Sequence, residues 1–516
     1  MENLPSDVIE KIVRLLPYDG LAQYSTISRK WQKEIEKRTF ESISLSSDPE
    51  NWTQFFLCIV CRPQTRYRRL FIRTLKYTVV LPFGETSLPH HETMMDPRTD
   101  TLLAPWKGNP MDLHFEATNH IKKLFDLLER CDQYDKNEKT RTGGSDGLTL
   151  ELGWVKTPID NDPQQRKQGG FKLLVPKGAP RLPEINCVSR LKFHYVPIGP
   201  FFSPKGRSLA PGAAIVLSRV MPKMKRFSIV SEGAFHYPPL SEAPCLIDLD
   251  HRYKAKRHRH DRGDFMEVLT QTEFQALQSC TEAAISLEDR VGDTFAGLGD
   301  GDPFFYQPAG YDKLSQAIRL WSQNLVSLDI SGLFSSTLFW PEPSEPSVKS
   351  PTLSEFWPKL KNLHVKFLCM TPAGSYFFDN ESVGWFPWHP CRNVPVDDSL
   401  NLLFRAWVRA LDRMPVLEQA SVRWSLDFEV KDKRTQRDWL VAFQAPGTSL
   451  DPSRHAWEAN VSDELRKSPR VTFQNDSEWR PDNWTMMQLY AVAVKMFPET
   501  DMIELSVDKD CNVTVL

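Results

Sequence analysis

The sequence lacks a long apolar run. No stretch reaches the roughly 18 consecutive apolar residues that a membrane-spanning helix needs, so we expect no membrane partner. The start also lacks the apolar core of a secretory signal peptide, because Glu2 and Asp7 bring charge into it. A net charge of -2 excludes an overall field that would steer the chain to nucleic acid or an anionic membrane. We therefore expect a cytoplasmic or nuclear protein, with nucleic acid an unlikely partner.

Cysteine is scarce as well. Nine cysteines, an odd number, are scattered over 516 residues, which favours reduced thiols over a disulfide framework. Cys58 and Cys61 have the spacing of half a zinc or redox site. No second pair with suitable spacing follows, and the segment has the pattern of an amphipathic helix, so we interpret both as core thiols.

Signatures of catalysis and of cofactor binding are missing too. Neither a Gly-x-Ser-x-Gly elbow nor a His-Glu-x-x-His helix occurs. The Gly-rich stretch at 297–302 is acidic where a phosphate-binding loop would be neutral or basic. His251, His258 and His260 lie among cations that would repel a metal ion. We predict no catalytic residue, cofactor or metal; an enzyme with scattered catalytic residues is the alternative.

Residues 1–45 have the pattern of three short amphipathic helices. In the first, Ser6 is placed to cap the helix, and Val8, Ile9, Ile12, Val13 and Leu16 recur at helical spacing before Pro17 and Gly20 end it. The second covers 21–27, and the third begins at Ser28 and carries Trp31 and Ile35. A unit of this size buries too little surface to be stable alone, so it needs the next domain or a partner.

The same residues resemble the F-box family. The motif positions are Leu4-Pro5, Leu15-Leu16-Pro17, Leu21 and Ile27-Ser28-Arg29-Lys30-Trp31, with Ile27 in place of the usual Val. The resemblance implies docking on the Skp adaptor of a cullin-RING ubiquitin ligase, while the rest of the chain holds the protein to be ubiquitylated. The implied adaptor-binding residues are Leu4, Pro5, Val8, Ile9, Ile12, Leu16, Pro17, Leu21, Ile27 and Trp31. A helical cap on a larger domain is the alternative.

Residues 46–516 repeat a pattern of a helix followed by a strand, which is typical of a solenoid. Among these elements we expect a strand at 148–152 and a helix at 314–321. Three strands follow a similar local sequence, Met221-Pro222-Lys223-Met224, Trp357-Pro358-Lys359-Leu360 and Met414-Pro415-Val416-Leu417. This resembles a degenerate leucine-rich repeat. We predict an α/β fold, in which an irregular solenoid with long loops arranges parallel strands in one curved sheet. The alternative is an unrelated α/β domain. As a whole, the chain resembles the F-box proteins of filamentous fungi.

Long stretches between these helix–strand pairs are rich in Pro, Gly, Ser, Asp or Lys, and we interpret them as irregular loops. These stretches are 84–109, 136–144, 158–178, 237–263, 335–351, 371–395 and 431–482. One of them contains the basic run 252–262, for which we favour a mobile, solvated loop over an import or binding segment.

Aromatic residues are concentrated in the stretch 371–395. Exposed aromatic side chains are common interaction anchors, which makes Tyr376, Phe378, Trp385 and Trp388 candidate client-binding residues. The equally weighted alternative is that the rings fold back into the core.

Together, the patterns predict a non-enzymatic substrate receptor of an SCF-type cullin-RING ligase that holds a protein client. One alternative is a scaffold or inhibitor that binds the adaptor without leading to ubiquitylation. A less favoured one is an enzyme with a site built from loops.

Overall fold

The fold is a mixed α/β arrangement with a large, mostly parallel sheet. The structure is a computed structural model, and it describes residues 4–61, 63–81, 110–138, 147–156, 182–195, 207–231, 262–270, 279–287, 311–343, 345, 356–380, 392–430, 433–474, 479–509 and 511–516. The chain divides into two compact units, Met1–Met224 and Lys225–Leu516. The sequence-predicted boundary after Leu45 lies inside the first unit.

The first unit begins with helices and continues into parallel strands. Its helices are α1 (Ser6–Leu15), α2 (Leu21–Tyr24), α3 (Arg29–Phe40), α4 (Pro49–Phe55), α5 (Pro110–Glu138) and α6 (Gly212–Ser218), with a π-helix at Phe56–Cys61 and a 3-10 helix at Pro63–Phe71. Its strands are β1 (Ser42–Ser46), β2 (Thr74–Val80), β3 (Leu148–Leu152), β4 (Trp154–Lys156), β5 (Val188–Tyr195) and β6 (Arg207–Ser208).

Strands β1, β2, β3 and β5 pair in parallel, so this part of the sequence prediction is confirmed. Strand β4 continues past β3 after Gly153, whose φ of +126° favours glycine. A Cβ atom at this position would lie 1.9 Å from the carbonyl oxygen of His194, so no other residue fits. The pairing of β4 with β6 is antiparallel.

The second unit contains longer runs of strands. Its helices are α7 (residues 262–270), α8 (Lys313–Trp321), α9 (Asp397–Leu411), α10 (Asp463–Arg466) and α11 (Asn483–Met496), with 3-10 helices at Ser322–Asn324, Ser336–Leu338 and Ala456–Asn460. Its strands are β7 (Arg226–Ser231), β8 (Glu282–Ser286), β9 (Ser327–Gly332), β10 (Asn362–Phe367), β11 (Phe378–Asn380), β12 (Arg392–Pro395), β13 (Gln419–Val430), β14 (Lys433–Gln444), β15 (Arg470–Gln474), β16 (Ile503–Val507) and β17 (Val513–Val515).

Strands β7, β8, β9, β10 and β13 are parallel neighbours, as predicted. In β9 and β10 buried and half-buried residues alternate, so one face of the sheet is apolar core and the other is polar. Rings of the helices pack on the apolar face: Trp321 of α8 is 5.8 Å from Phe227, and Phe404 of α9 is 6.3 Å from Trp424, between ring centroids.

The expectation of parallel strands throughout is wrong towards the carboxyl end of the chain. Strand β13 forms an antiparallel hairpin with β14, and β14 pairs antiparallel with β15. Strands β14 and β15 and helix α10 all lie in the stretch 431–482. The prediction that this stretch is irregular is therefore wrong. Leu440 and Ala442 pack in one cluster while Val441 and Phe443 are also buried, so β14 is buried on both faces. A strand of this kind shows no alternation in its sequence.

Strands β15 and β16 are again parallel, and α11 connects them. Strand β17 pairs antiparallel with β16 at the edge of the sheet. Strands β11 and β12 form a separate antiparallel ribbon. Within the described ranges, no helix combines the length and the apolar character that crossing a membrane demands.

Candidate functional site

The first candidate site is the helical unit formed by α1, α2 and α3. Its core cluster consists of Ile9, Val13, Leu21, Trp31 and Ile35. The partly buried side chains packed around this cluster are Leu4, Ile12, Leu16 and Ile27. The apolar positions predicted from the sequence therefore come together in one place.

The predicted adaptor-binding residues divide into two sets by exposure. Ile9, Leu21 and Trp31 are at most 4% exposed, so they hold the helices together and do not present a surface to a partner. The others are half-buried or exposed, and only these have surface to offer a partner: Leu4, Pro5, Val8, Ile12, Leu16, Pro17 and Ile27.

Helix α1 carries a second apolar stripe beside its buried one. Val8, Ile12 and Leu15 recur at i, i+4 and i+7, which places them on one side of the helix. Leu15 is 87% exposed, and Tyr18, just beyond the helix, is 61% exposed. Sequence reasoning did not select Leu15 and Tyr18 as adaptor-binding residues. For Leu15, the signal was its spacing from Val8 and Ile12.

The end of α1 is fixed by Arg38 of α3. Its guanidinium donates to the carbonyl oxygens of Val13 and Leu16, the latter at 2.7 Å. These carbonyls are in the last turn of the helix, where backbone partners are few, and Val13 accepts in addition from the N–H of Leu16. The same guanidinium lies 4.6 Å from the ring centroid of Tyr18. The exposed Leu15 and Tyr18 therefore flank a turn with a defined geometry.

Glu36 connects helix α3 to the 3-10 helix at Pro63–Phe71. Its carboxylate lies 2.7 Å from Nη2 of Arg68 and accepts hydrogen bonds from Tyr67 and Gln32. Burial raises the pKa of Glu36, but the hydrogen bonds from Arg68, Tyr67 and Gln32 outweigh burial and hold this pKa below its usual value. The apolar stripe of α1 is thus connected to the first unit through a charged, hydrogen-bonded contact.

The second candidate site was the aromatic stretch around Tyr376. Phe378 is 0% exposed, and its ring centroid lies 5.4 Å from the rings of both Trp424 and Trp439. Its assignment as a client-binding residue is therefore wrong, because the ring is part of the core. Tyr376 is half-buried, and Trp385 and Trp388 lie outside the described residues.

The polar face of the second unit's sheet carries hydrogen-bonded side chains in rows. Asp329, His364 and Ser421 are register partners on β9, β10 and β13. Nδ1 of His364 is 2.8 Å from Oγ of Ser421, and Arg454 reaches over from the segment after β14 to bind Asp329 at 2.9 Å. Ser421 is only 2% exposed, so its hydroxyl is out of reach of a substrate in this arrangement.

Two histidines on this face are held neutral. Burial lowers the pKa of His364, and the Arg454 and Arg423 guanidiniums lower it further against the opposing charge of Asp329. Burial also lowers the pKa of His455 to about 4, again with help from the charge of Arg423. Neutral imidazoles and paired charges suit hydrogen bonding to polar groups, and they provide no exposed nucleophile.

Of the basic run 252–262, the structure describes the last residue, Arg262. Arg262 begins α7, is 7% exposed and forms an ion pair with Asp312, so its assignment to a mobile, solvated loop is wrong. Residues 252–261, which include His258 and His260, lie outside the described residues, as do His251 and the stretch 297–302.

Cys61 is the last residue of the π-helix, which also includes Cys58. Among the residues that the structure describes, no group of three or more His, Cys, Asp or Glu side chains is placed to hold a metal ion.

The chain matches no model of a known protein family, and no curated protein is significantly similar to it.

Proposed function

We propose that the chain is the substrate-recognition subunit of an SCF-type ubiquitin ligase, with α1 to α3 as an F-box that docks on the Skp adaptor. The observation that carries the proposal is the second apolar stripe of α1, formed by Val8, Ile12 and Leu15. It lies in the same short segment as the F-box motif positions; Val8 and Ile12 are half-buried, with Ile12 packed against the core of the helical unit, and Leu15 is 87% exposed.

The stripe has the energetics of an interface. Transferring an exposed Leu side chain out of water contributes about 1.5–3 kcal/mol. Leu15 alone is 87% exposed, and Leu4, Pro5 and Pro17 lie at the ends of the same helix. A helical cap on a larger domain would bury this stripe against that domain. The exposure of Leu15 therefore favours docking on a partner over the cap.

Client binding is proposed for the second unit, which we take to be an irregular leucine-rich-repeat-like solenoid. Its support is the run of parallel strands β7 to β10 and β13, with a polar face of half-buried side chains. On that face the half-buried polar side chains of β9 and β10 offer hydrogen-bonding groups to an extended protein segment, whereas Ser421 is buried. We place the complex in the cytoplasm or nucleus, and we propose no catalytic step for this chain itself.

The adaptor test compares variants on different faces of the same helical unit. We expect Leu15→Ser to weaken binding of the purified Skp adaptor by about 10- to 100-fold, since one interface anchor commonly contributes about 2 kcal/mol. We expect Leu4→Ala with Pro5→Ala to abolish capture at cellular concentrations. Thermal melting should not change for Leu15→Ser, because the side chain is exposed. Calorimetric titration and circular dichroism provide the two measurements.

Two variants serve as controls. Arg14→Ala changes an exposed residue of α1 on another face, where it pairs with Glu10, and should leave adaptor affinity unchanged. Ile9→Ala opens the core of the helical unit and should lower its stability together with binding. Wild-type affinity in Leu15→Ser and in the double variant would exclude the F-box assignment.

A reconstituted ubiquitylation reaction separates a receptor from a scaffold or inhibitor. If the chain is a receptor, the assembled ligase transfers ubiquitin to a protein bound by the second unit, and Leu15→Ser should reduce the transfer while client binding persists. A chain that binds the adaptor and client but supports no transfer acts as a scaffold or inhibitor.

A further inference from the structure

Helix α11 is apolar on two opposite faces. One face packs into the second unit through Thr485, Leu489, Val492 and Ala493. On the other face Met487 is 68% exposed, Val494 is 56% exposed and Tyr490 is 40% exposed, with Ala491 also exposed. These four outer residues follow the i, i+3, i+4, i+7 spacing of a helix seam. We name them, together with Trp484, the outer stripe.

Helix α9 lies beside α11. Arg405 of α9 forms an ion pair with Asp482, at the start of α11, and Asp412 after α9 pairs with Lys495, near the end of α11. The two helices therefore run parallel. Leu402 of α9 is 56% exposed. A helix that is apolar all round is normally covered, and a contiguous exposed apolar patch of this kind marks an interaction site.

Charge differs between the two ends of the outer stripe. At its start, the guanidiniums of Arg405 and Arg409 lie 5.9 and 5.5 Å from the ring centroid of Trp484. Beyond its end, Glu499 and Asp501 are exposed in the segment that follows α11. The Arg405–Asp482 and Lys495–Asp412 ion pairs balance their own charges at the two ends. Outside these pairs, Arg409 at the start and Glu499 and Asp501 beyond the end give the stripe a net cationic start and a net acidic end.

We propose that the outer stripe is a two-fold interface between two copies of this chain, with their α11 helices packed antiparallel. In a two-fold contact the same patch meets itself, so a self-complementary patch is required. An antiparallel pairing brings Arg409 of one copy to Glu499 of the other, and Ala491 lies near the middle, where a small side chain lets two helices approach closely. A parallel pairing would instead place like charges together.

The test measures the mass of the full chain in solution by light scattering and sedimentation equilibrium. We expect a dimer of twice 59.4 kDa at micromolar concentration. Met487→Glu should weaken dimerisation at least 100-fold and leave the circular dichroism spectrum of the folded chain unchanged, since the side chain is exposed. A matched control is Leu320→Glu, at a 53% exposed apolar position on α8, which should leave the dimer intact.

A charge swap tests the antiparallel arrangement. Arg409→Glu and Glu499→Arg should each weaken the dimer about 5- to 10-fold, and the two changes combined should restore it. The two residues are at opposite ends of the stripe, so the restored contact has to form between copies. A chain that stays monomeric at 100 μM would overturn the proposal, as would a dimer unaffected by Met487→Glu or a combined variant that is no better than the single ones. The test is independent of adaptor binding, because Leu15→Ser should leave the dimer unchanged.

Discussion

Nη2 of Arg262 lies 3.0 Å from Oδ1 of Asp312, with the two side chains 7% and 1% exposed. Nη1 of the same arginine donates to the carbonyl oxygen of Leu333. Asp312 in turn accepts hydrogen bonds from the backbone N–H groups of Leu314 and Ser315 and so caps α8. One buried ion pair therefore joins the start of α7 to the start of α8.

Arg262→Ala should lower the free energy of unfolding by about 3–5 kcal/mol, because removing one partner leaves Asp312 charged and buried. Urea unfolding followed by circular dichroism measures the loss. The control is Arg454→Ala, which breaks a pair with Asp329 whose arginine is 53% exposed. Surface pairs contribute about 0–1 kcal/mol. Equal, small effects of the two variants would place Arg262 in a solvated loop after all.

Phe378→Ala should destabilise the second unit by about 3–5 kcal/mol, since the ring is buried between Trp424 and Trp439. Tyr376→Ala, at a half-buried position two residues earlier, should cost less. Thermal melting of the two variants side by side checks the prediction. If Phe378→Ala kept the melting temperature but bound the client more weakly, Phe378 would be a client-binding surface residue and not part of the core.

Glu458 and Arg470 test how a fully buried ion pair affects stability. Both side chains are 0% exposed, with Nη2 of Arg470 3.3 Å from Oε1 of Glu458. Burial raises the pKa of Glu458 and lowers the pKa of Arg470, so for each group the penalty of burial exceeds the attraction of its partner. The pair is therefore a costly arrangement that becomes worse when only one charge is left.

We expect Glu458→Leu and Arg470→Met each to cost about 3–5 kcal/mol in urea unfolding, and the double variant to cost less than the sum of the two. The reason is that only the single variants leave one of the two buried charges without the other; after Arg470→Met, Glu458 keeps the partly exposed Arg466 at 3.9 Å. Additive costs in the double-mutant cycle would show that the two charges do not interact.

The sequence predicted elements whose apolar spacing is regular. The helix expected at 314–321 is α8 (Lys313–Trp321), and the strand expected at 148–152 is β3 (Leu148–Leu152). In both, apolar residues recur at the spacing of the element, and these residues are buried. The strand β14 carried no such pattern because both of its faces are buried. Strand β5 alternates Arg190 and Lys192 with apolar residues, and it was not recognised.

Single residues were harder to place than elements. Arg262 sits in a run of cations and its partner Asp312 is 50 residues away, so the local sequence indicates a solvated loop. Phe378 could be assigned to core or surface with equal weight until its neighbours Trp424 and Trp439 were known. The helical unit was the easiest to predict, since its core is built from residues close in sequence. Only the exposure seen in the structure shows that Ile9 is a core residue and Leu15 a surface residue.

The last prediction concerns pH and His455. Burial lowers its pKa to about 4, helped by the charges of Arg423, His364 and Arg454 and opposed by Asp438. An unfolded histidine has a pKa of about 6.5.

The unfolded chain therefore binds the proton more tightly than the folded chain between these two values. Stability from this group is complete above pH 6.5 and is lost as the pH falls towards 4. The full effect of such a difference is about 3 kcal/mol.

His455→Gln removes this titration. When the pH is lowered from 7 to 4, the free energy of unfolding falls in both proteins. We expect this fall to be about 3 kcal/mol smaller in the variant than in the wild type. Urea titrations at several pH values measure the difference, and the NMR shift of the His455 ring proton reports the midpoint directly. His364 titrates in the same direction, because burial lowers its pKa as well, so His364→Gln is the matched comparison. A ring-proton midpoint near 6.5 for His455 would show that the segment carrying Arg454 and His455 does not cover the sheet in solution.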